Sequence, residues 1–209
     1  LPARYDPARP YPLVLAFHGS GGDGGSFRRM MRLEEVWGDG AIAIFPDAVV
    51  RRVWGEHHAT HWGRVVDLPL FDALVRLARE ELCVDERRVF AVGWSSGGYF
   101  ANQLGCVRPD VVRAIAALSG GGPEAATCTR PVPAFFHHDR DDRAVLVTTG
   151  RASREAWCRT NGCRGEAEAR EGCLVWGGDA PVVWCETSGN GHPPPPSASE
   201  AVWRFFSAF

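Results

Sequence analysis

Val89-Phe90-Ala91-Val92-Gly93-Trp94-Ser95-Ser96-Gly97-Gly98 decides how this chain is read. Val89 to Val92 is a short, β-branched and aromatic apolar run, the pattern of a buried strand. Ser96 to Leu104 continues as a helix. The turn between them is G-x-S-x-G, Gly93 to Gly97. Alone, such a motif occurs by chance. Between a strand and a helix it is specific, because so sharp a turn needs small residues on both sides of the serine. Gly93 and Gly97 let the backbone pass its neighbours without a Cβ clash. Ser95 then projects its hydroxyl above the carboxyl edge of the sheet, where open α/β sheets bind ligands. Ser96 is a rival nucleophile, but only Ser95 is centred in the motif.

Outward from this stretch, short apolar runs alternate with amphipathic ones. Leu13 to Phe17, Ala41 to Phe45, Ala114 to Leu118, Ala134 to Phe136 and Val182 to Trp184 read as further strands. Ser26 to Val36, Asp67 to Leu82, Leu146 to Trp157 and Ser197 to Phe206 read as helices, with Asp67 as an N-cap. The alternation predicts a mostly parallel, doubly wound α/β sheet with helices on both faces. The 209 residues suit one sizeable domain, 1–209, and two only with difficulty. There is no internal repeat, and Pro193 to Pro196 is a short stiff segment rather than a boundary.

Composition narrows the function classes. Hydrophobic residues are 45% and charged residues 23%, so a disordered or coiled-coil chain is excluded. A formal net charge of -2 gives no reason to expect nucleic acid or an anionic membrane. All 23 basic residues are Arg, which excludes Lys-based chemistry such as a Schiff base. No apolar run approaches a transmembrane helix. Seven Cys, none in paired C-x-x-C spacing, point to disulfides in an oxidising compartment and hence to export. At least two intrachain disulfides are expected, with Cys106–Cys128 the first pairing: Cys106 ends the nucleophile helix and Cys128 lies in the loop one strand later. Four Cys between 158 and 185 leave three connectivities open. Cys83, just before a buried strand, is the expected free thiol. The start Leu-Pro-Ala-Arg-Tyr reads as a chain whose signal segment has been removed, secreted or periplasmic.

An activated serine needs a base, and the base an orienting acid. Of seven His, only His192 follows both the nucleophile and a late strand, in the turn Ser188 to Pro193. His18 reads as loop-shaping, and His137 and His138 as residues that position an acid loop. Asp139, Asp141 and Asp142 are the neighbouring candidates for the acid. Two backbone N–H donors must hold the oxyanion. Ser96 supplies one, and the loop His18-Gly19-Ser20-Gly21-Gly22 the other, with Ser20 first and Gly21 second. Trp94, Gly19 and Gly21 would line the substrate. His57, His58 and His61 form H-H-x-x-H beside Trp54 and Trp62, read as a surface loop flanking the cleft rather than a metal site. No metal or other cofactor is expected; the loop lacks G-K-[ST], which argues against a nucleotide.

With these residues in hand, the chain resembles the polyhydroxybutyrate depolymerase-like and feruloyl esterase group of secreted α/β-hydrolases. The matching segments are Tyr11 to Ser20, Cys83 to Gly98, Ala117 to Gly120, His138 to Val145, Trp157 to Cys163 and Gly189 to His192. The resemblance implies the α/β-hydrolase fold and a Ser–His–Asp hydrolase of esters in polymeric or plant-cell-wall material. Position by position it makes Ser95, Asp142 and His192 the triad. The pattern H-x-x-x-D-x-x-V fits His138, Asp142 and Val145, which prefers Asp142 to Asp141. Two departures stand out: four prolines follow His192 where the group often has an aromatic, and Asp139 stands where it usually has glycine. The chain is short for the group, with little room for a lid, so a small ester or an acyl group on a polysaccharide fits better than a solid polyester. The rival readings are a polyhydroxyalkanoate oligomer depolymerase, a serine peptidase on the same fold and a non-catalytic carbohydrate-binding relative.

Overall fold

The computed structural model describes residues 1–123 and 128–209. In chain order its elements are β1 Tyr11–Phe17, α1 Gly24–Met31, α2 Leu33–Trp37, β2 Ile42–Ile44, β3 Val50–Trp54, β4 His57–Thr60, α3 Leu68–Glu81 and β5 Val84–Trp94. There follow α4 Ser96–Val107, β6 Ala114–Leu118, β7 Ala134–Asp139, α5 Val147–Thr160, β8 Arg164–Arg170, β9 Cys173–Gly177, β10 Val182–Thr187 and α6 Ala198–Phe206. Eight strands form one sheet in the order β2-β1-β5-β6-β7-β10-β9-β8. The six strands from β2 to β10 run parallel, and β9 and β8 close the far edge antiparallel.

The continuous apolar runs follow from burial on both faces. Leu13, Leu15, Phe17, Val89 and Ala91 belong to one core cluster, with Phe71, Val75, Phe100 and Trp157. Their sequence neighbours Val14, Ala16, Phe90 and Val92 belong to the other, with Phe27, Val202 and Phe206. Alternation along each strand therefore feeds two cores, as the period of two requires.

Four elements differ from the sequence expectations. The helix expected over 26–36 is two, broken at Arg32, which is left-handed at φ 47°. Met31 and Leu33 are both buried. In one continuous helix they would point about 200° apart, so the break lets both reach the core. Asp67 occupies the N-cap of α3 but makes no side-chain cap there. Its carboxylate accepts instead from Arg51 at 2.6 and 2.9 Å and from the Gly63 N–H at 2.7 Å. The segment around His57 and His58, expected as a surface loop, is the β3–β4 hairpin. Finally, β8 and β9 are strands where the sequence expectations held none; β8, Arg-Gly-Glu-Ala-Glu-Ala-Arg, lies at the sheet edge with mostly exposed residues and offers no apolar period. Charges on an edge strand discourage further pairing.

Three disulfides are present: Cys106–Cys128, Cys158–Cys163 and Cys173–Cys185. The first is the expected pairing, and Cys83 is the free cysteine. Alkylation of the denatured, unreduced protein should therefore modify one thiol, and reduction should raise the number to seven; mass spectrometry reads both.

A Cβ at Gly97 would land on the carbonyl oxygen of Phe17, and one at Gly93 on that of Gly97. Both obstacles are backbone. Gly97→Ala is expected to cost more than about 3 kcal/mol despite the usual helical preference for Ala. Gly177→Ala, where a Cβ meets nothing within 4 Å, should stay within about 0.5 kcal/mol. Urea unfolding of the two variants checks the contrast.

Candidate active site

β5 ends at Trp94 and α4 starts at Ser96, so Ser95 alone makes the turn. Its backbone is at φ 55°, ψ -119°. A non-glycine residue there is strained by about 1–3 kcal/mol and must be held by its surroundings. The Ser95 N–H donates to the Leu118 carbonyl at 2.9 Å, and the Ser95 carbonyl accepts from Tyr99 N–H at 3.0 Å. Ser96 is the first residue of α4 and is buried, and its hydroxyl has no hydrogen-bond partner among the described residues.

The Gly-rich loop leaves β1 beside this turn. His18 shapes it, as its position in the sequence implies: Nδ1–H donates to the Gly19 carbonyl at 2.7 Å, while Nε2 accepts from Ala48 N–H at 3.0 Å. Those partners fix the tautomer. Trp62 Nε1–H donates to the His18 carbonyl at 3.0 Å. The Gly21 N–H donates to the Thr60 carbonyl at 2.9 Å, which engages it within the protein. The Ser20 hydroxyl is bonded to His61 Nδ1 at 2.6 Å. Burial holds the His61 pKa below its ordinary value, and Arg51 and Arg64 push it the same way. His57 and His58 are exposed on β4. Gly19 lies against Trp94: a Cβ there would sit 2.7 Å from the indole.

The acid loop follows β7. Asp142 is buried, with Oδ1 accepting from the N–H groups of Ala144 at 2.9 Å and Val145 at 3.0 Å. Its Oδ2 accepts from His192 Nδ1–H at 2.8 Å. His138 stands behind, donating from Nε2 to the Val145 carbonyl at 2.7 Å, and burial lowers its pKa. The structure thus brings Asp142 and His192 together. Asp141 is exposed, and its carboxylate accepts from Gly189 N–H at 2.7 Å. Arg140 turns away to Glu186 at 2.6 Å. Burial raises the Glu186 pKa, but hydrogen bonds from Arg151, Arg140 and Trp184 outweigh it and bring it to about 2.

Two features were not read from the sequence in these roles. Trp94, considered there for substrate contact, donates from Nε1 to the His192 carbonyl at 3.0 Å, with the rings 5.1 Å apart. Tyr99, one turn into α4, lies under the Arg64 guanidinium at 5.2 Å. Burial raises its pKa, against Arg64. The i+4 spacing from Ser95 was the one signal that could have found Tyr99.

No family model matches the chain. It is similar to feruloyl esterase D of Neurospora crassa, 28% identical over all of this chain and 80% of that protein. Among solved structures it resembles the acetyl xylan esterase of Aspergillus awamori, TM-score 0.75, 16% identical, covering 99% of this chain and 91% of that one. It also resembles a ferulic acid esterase of Anaeromyces mucronatus in complex with ferulic acid, TM-score 0.68, 16% identical, covering 99% and 81%. Fold and relatives together define the class: a carboxylic ester hydrolase of the α/β-hydrolase fold. The particular likeness, over the whole chain, is to the feruloyl esterases.

His137, at the end of β7, gives a pH-dependence. Burial, with His138 beside it, pushes its pKa from 6.5 to about 4, against Asp139. Between those values the unfolded chain binds a proton that the folded protein refuses. Stability is therefore unaffected above about pH 6.5 and falls as pH drops toward 4, by up to about 3 kcal/mol from this group. His137→Gln, which keeps a donor and removes the titration, should lose less stability over that window in urea unfolding. An equal loss in both proteins would assign the effect to other groups.

Proposed function

We propose that this protein is a serine esterase that uses Ser95 as nucleophile, His192 as base and Asp142 as orienting acid. The observation that carries the reading is the 2.8 Å bond from His192 Nδ1 to Asp142, with the His192 carbonyl held by Trp94, the residue before the serine that forms the strand–helix turn alone. With Nδ1–H donated to the carboxylate, Nε2 is left to take the Ser95 proton as Oγ attacks the ester carbonyl. Ser20 and Ser96 donate their backbone N–H groups to the developing oxyanion; Gly21, whose N–H already serves Thr60, is set aside. His192 then gives its proton to the leaving alcohol. Water, activated by the same base, releases the acid from the Ser95 acyl-enzyme.

The substrates are small esters or acyl groups on polysaccharides, of feruloyl or acetyl type. The chain's likeness to feruloyl and acetyl xylan esterases supports this class, as does the ferulic acid bound in a structural neighbour. Export to an oxidising compartment is supported by the three disulfides.

The test is turnover of methyl ferulate, acetylated xylan, 3-hydroxybutyrate oligomers and p-nitrophenyl acetate and butyrate, with variants assayed on the preferred ester. Ser95→Ala should keep the melting temperature and lose about 10⁴–10⁶ in rate. Asp142→Asn should lower kcat by about 10²–10⁴ through the wrong tautomer. Asp141→Asn should lose less than about tenfold, because an amide oxygen still accepts from Gly189. Ser95→Ala within tenfold of wild type would move the role to Ser96. A larger loss at Asp141 than at Asp142 would move the acid by one residue.

A further inference from the structure

Asp139 is left without a role by that mechanism, yet it is a fully buried carboxylate. Burying a charge is unfavourable unless it is fully hydrogen-bonded or paired. Among the described residues no arginine pairs with Asp139. Four N–H and O–H donors converge on it instead. Oδ1 accepts from Asp141 N–H at 2.9 Å. Oδ2 accepts from the Thr187 hydroxyl at 2.8 Å and from the backbone and side-chain N–H groups of Asn190, both at 3.1 Å. Burial alone would raise this carboxyl's pKa, but these donors hold it far below the usual carboxylate range. Because the Thr187 hydroxyl donates to Asp139, it accepts from His137 Nε2–H at 3.2 Å. The parallel register of β7 and β10 sets Asp139 opposite Thr187 and creates the arrangement.

What these bonds hold is the segment carrying His192. Asn190 lies between Gly189 and Gly191, at φ 89° and 69°. Glycine has little conformational preference of its own, so the path of this turn is set from outside. Asp139 supplies two of those restraints at Asn190, two residues before His192, and Asp141 supplies one at Gly189.

We propose that Asp139 is a positioning residue for the base: it grips Asn190 and so holds His192 in register with Asp142 and Ser95. The assignment rests on the serine esterase reading. Asp139 acts from behind the turn and does not touch substrate, so its loss falls on kcat and leaves KM alone. A displacement of about 1 Å in a catalytic group can cost on the order of 10² in rate.

The experiment compares Asp139→Asn, Asn190→Ala, Asn190→Asp and the Asp139→Asn/Asn190→Ala double variant on the best ester found for the wild type. Melting temperatures are measured in parallel. Asn190 is exposed, so its variants should fold normally. Asn190→Ala, which keeps the backbone donor, should lower kcat about 3–10-fold with KM unchanged, and Asn190→Asp, a carboxylate facing a carboxylate, by more. Asp139→Asn, whose NH2 must face donors at one of the two former oxygen positions, should lower kcat about 10–100-fold. The double variant should match Asp139→Asn within about twofold, since both changes break one linkage. Should Asp139→Asn fail to fold, the two Asn190 variants decide. An unchanged kcat in Asn190→Ala and Asn190→Asp, losses that multiply in the double variant, or a raised KM at constant kcat would each overturn the proposal. If wild type turns over esters and Ser95→Ala does not, such a failure is the proposal's alone. A wild type inactive on every ester overturns the esterase reading and this proposal together.

Discussion

The turn at Ser95 exists because backbone touches backbone on both sides of it. Gly93 lies against the Gly97 carbonyl, Gly97 against that of Phe17, and Gly98 is close to Leu118 and Gly120. No side chain fits in these gaps, so the end of β5 and the start of α4 are wedged between the ends of β1 and β6. Wedging of this kind is what can hold a serine at positive φ, because the strain at one residue is small beside the packing that would have to be undone. The same contacts place the Gly-rich loop. Where Phe17 and His18 stop against Gly97, the chain must leave the sheet, and Gly19 turns it past the Trp94 indole.

A second constraint is the pairing of β7 with β10. Parallel strands deliver their carboxyl ends to the same edge, and a register of Asp139 opposite Thr187 puts the two following loops side by side. Three aspartates in four residues then divide the work by their exposure and direction. Asp142 is buried and faces the His192 ring, Asp141 is exposed and faces the Gly189 N–H, and Asp139 is buried and faces Asn190. The Coulomb repulsion of three nearby carboxylates is offset because each has its own hydrogen-bond donors.

The parts of the fold legible in the sequence were those where local pattern and burial agree. β1, β6 and the part of β5 from Val89 to Val92 are apolar on both faces, so their reading needs no tertiary information; the polar first half of β5, from Val84 to Arg88, was not legible that way. The α1–α2 break was not legible, because Arg32 carries no helix-stop signal; the core's demand for both Met31 and Leu33 decides it. Likewise β8 is held by pairing with β9, and its charged residues give no apolar period. At the site, Ser95 and His192 could be proposed from motif and chain order. The Asp142–His192 contact needed the β7–β10 register, which no local pattern encodes. Asp139, the third candidate for the acid, is the last residue of β7. It reaches Asn190 rather than the ring, since the His192 loop comes back to meet it.

The prolines after His192 become intelligible in the same terms. On one side of His192 the chain is glycine-rich and has no stiffness of its own, and it is tied down by Asp139 and Asp141. On the other side Pro193 to Pro196 fix four successive φ angles. That run leads into α6, where Ala198 N–H donates to the Pro195 carbonyl at 2.9 Å and Val202 and Phe206 are anchored in the core. Between the two, the His192 carbonyl accepts from Trp94, the residue next to Ser95. The His192 turn is thus braced from three directions, by carboxylates upstream, by stiff chain downstream and by the Trp94 indole. Each brace acts on the backbone of the loop and leaves the imidazole ring to Asp142 and to whatever binds at Ser95.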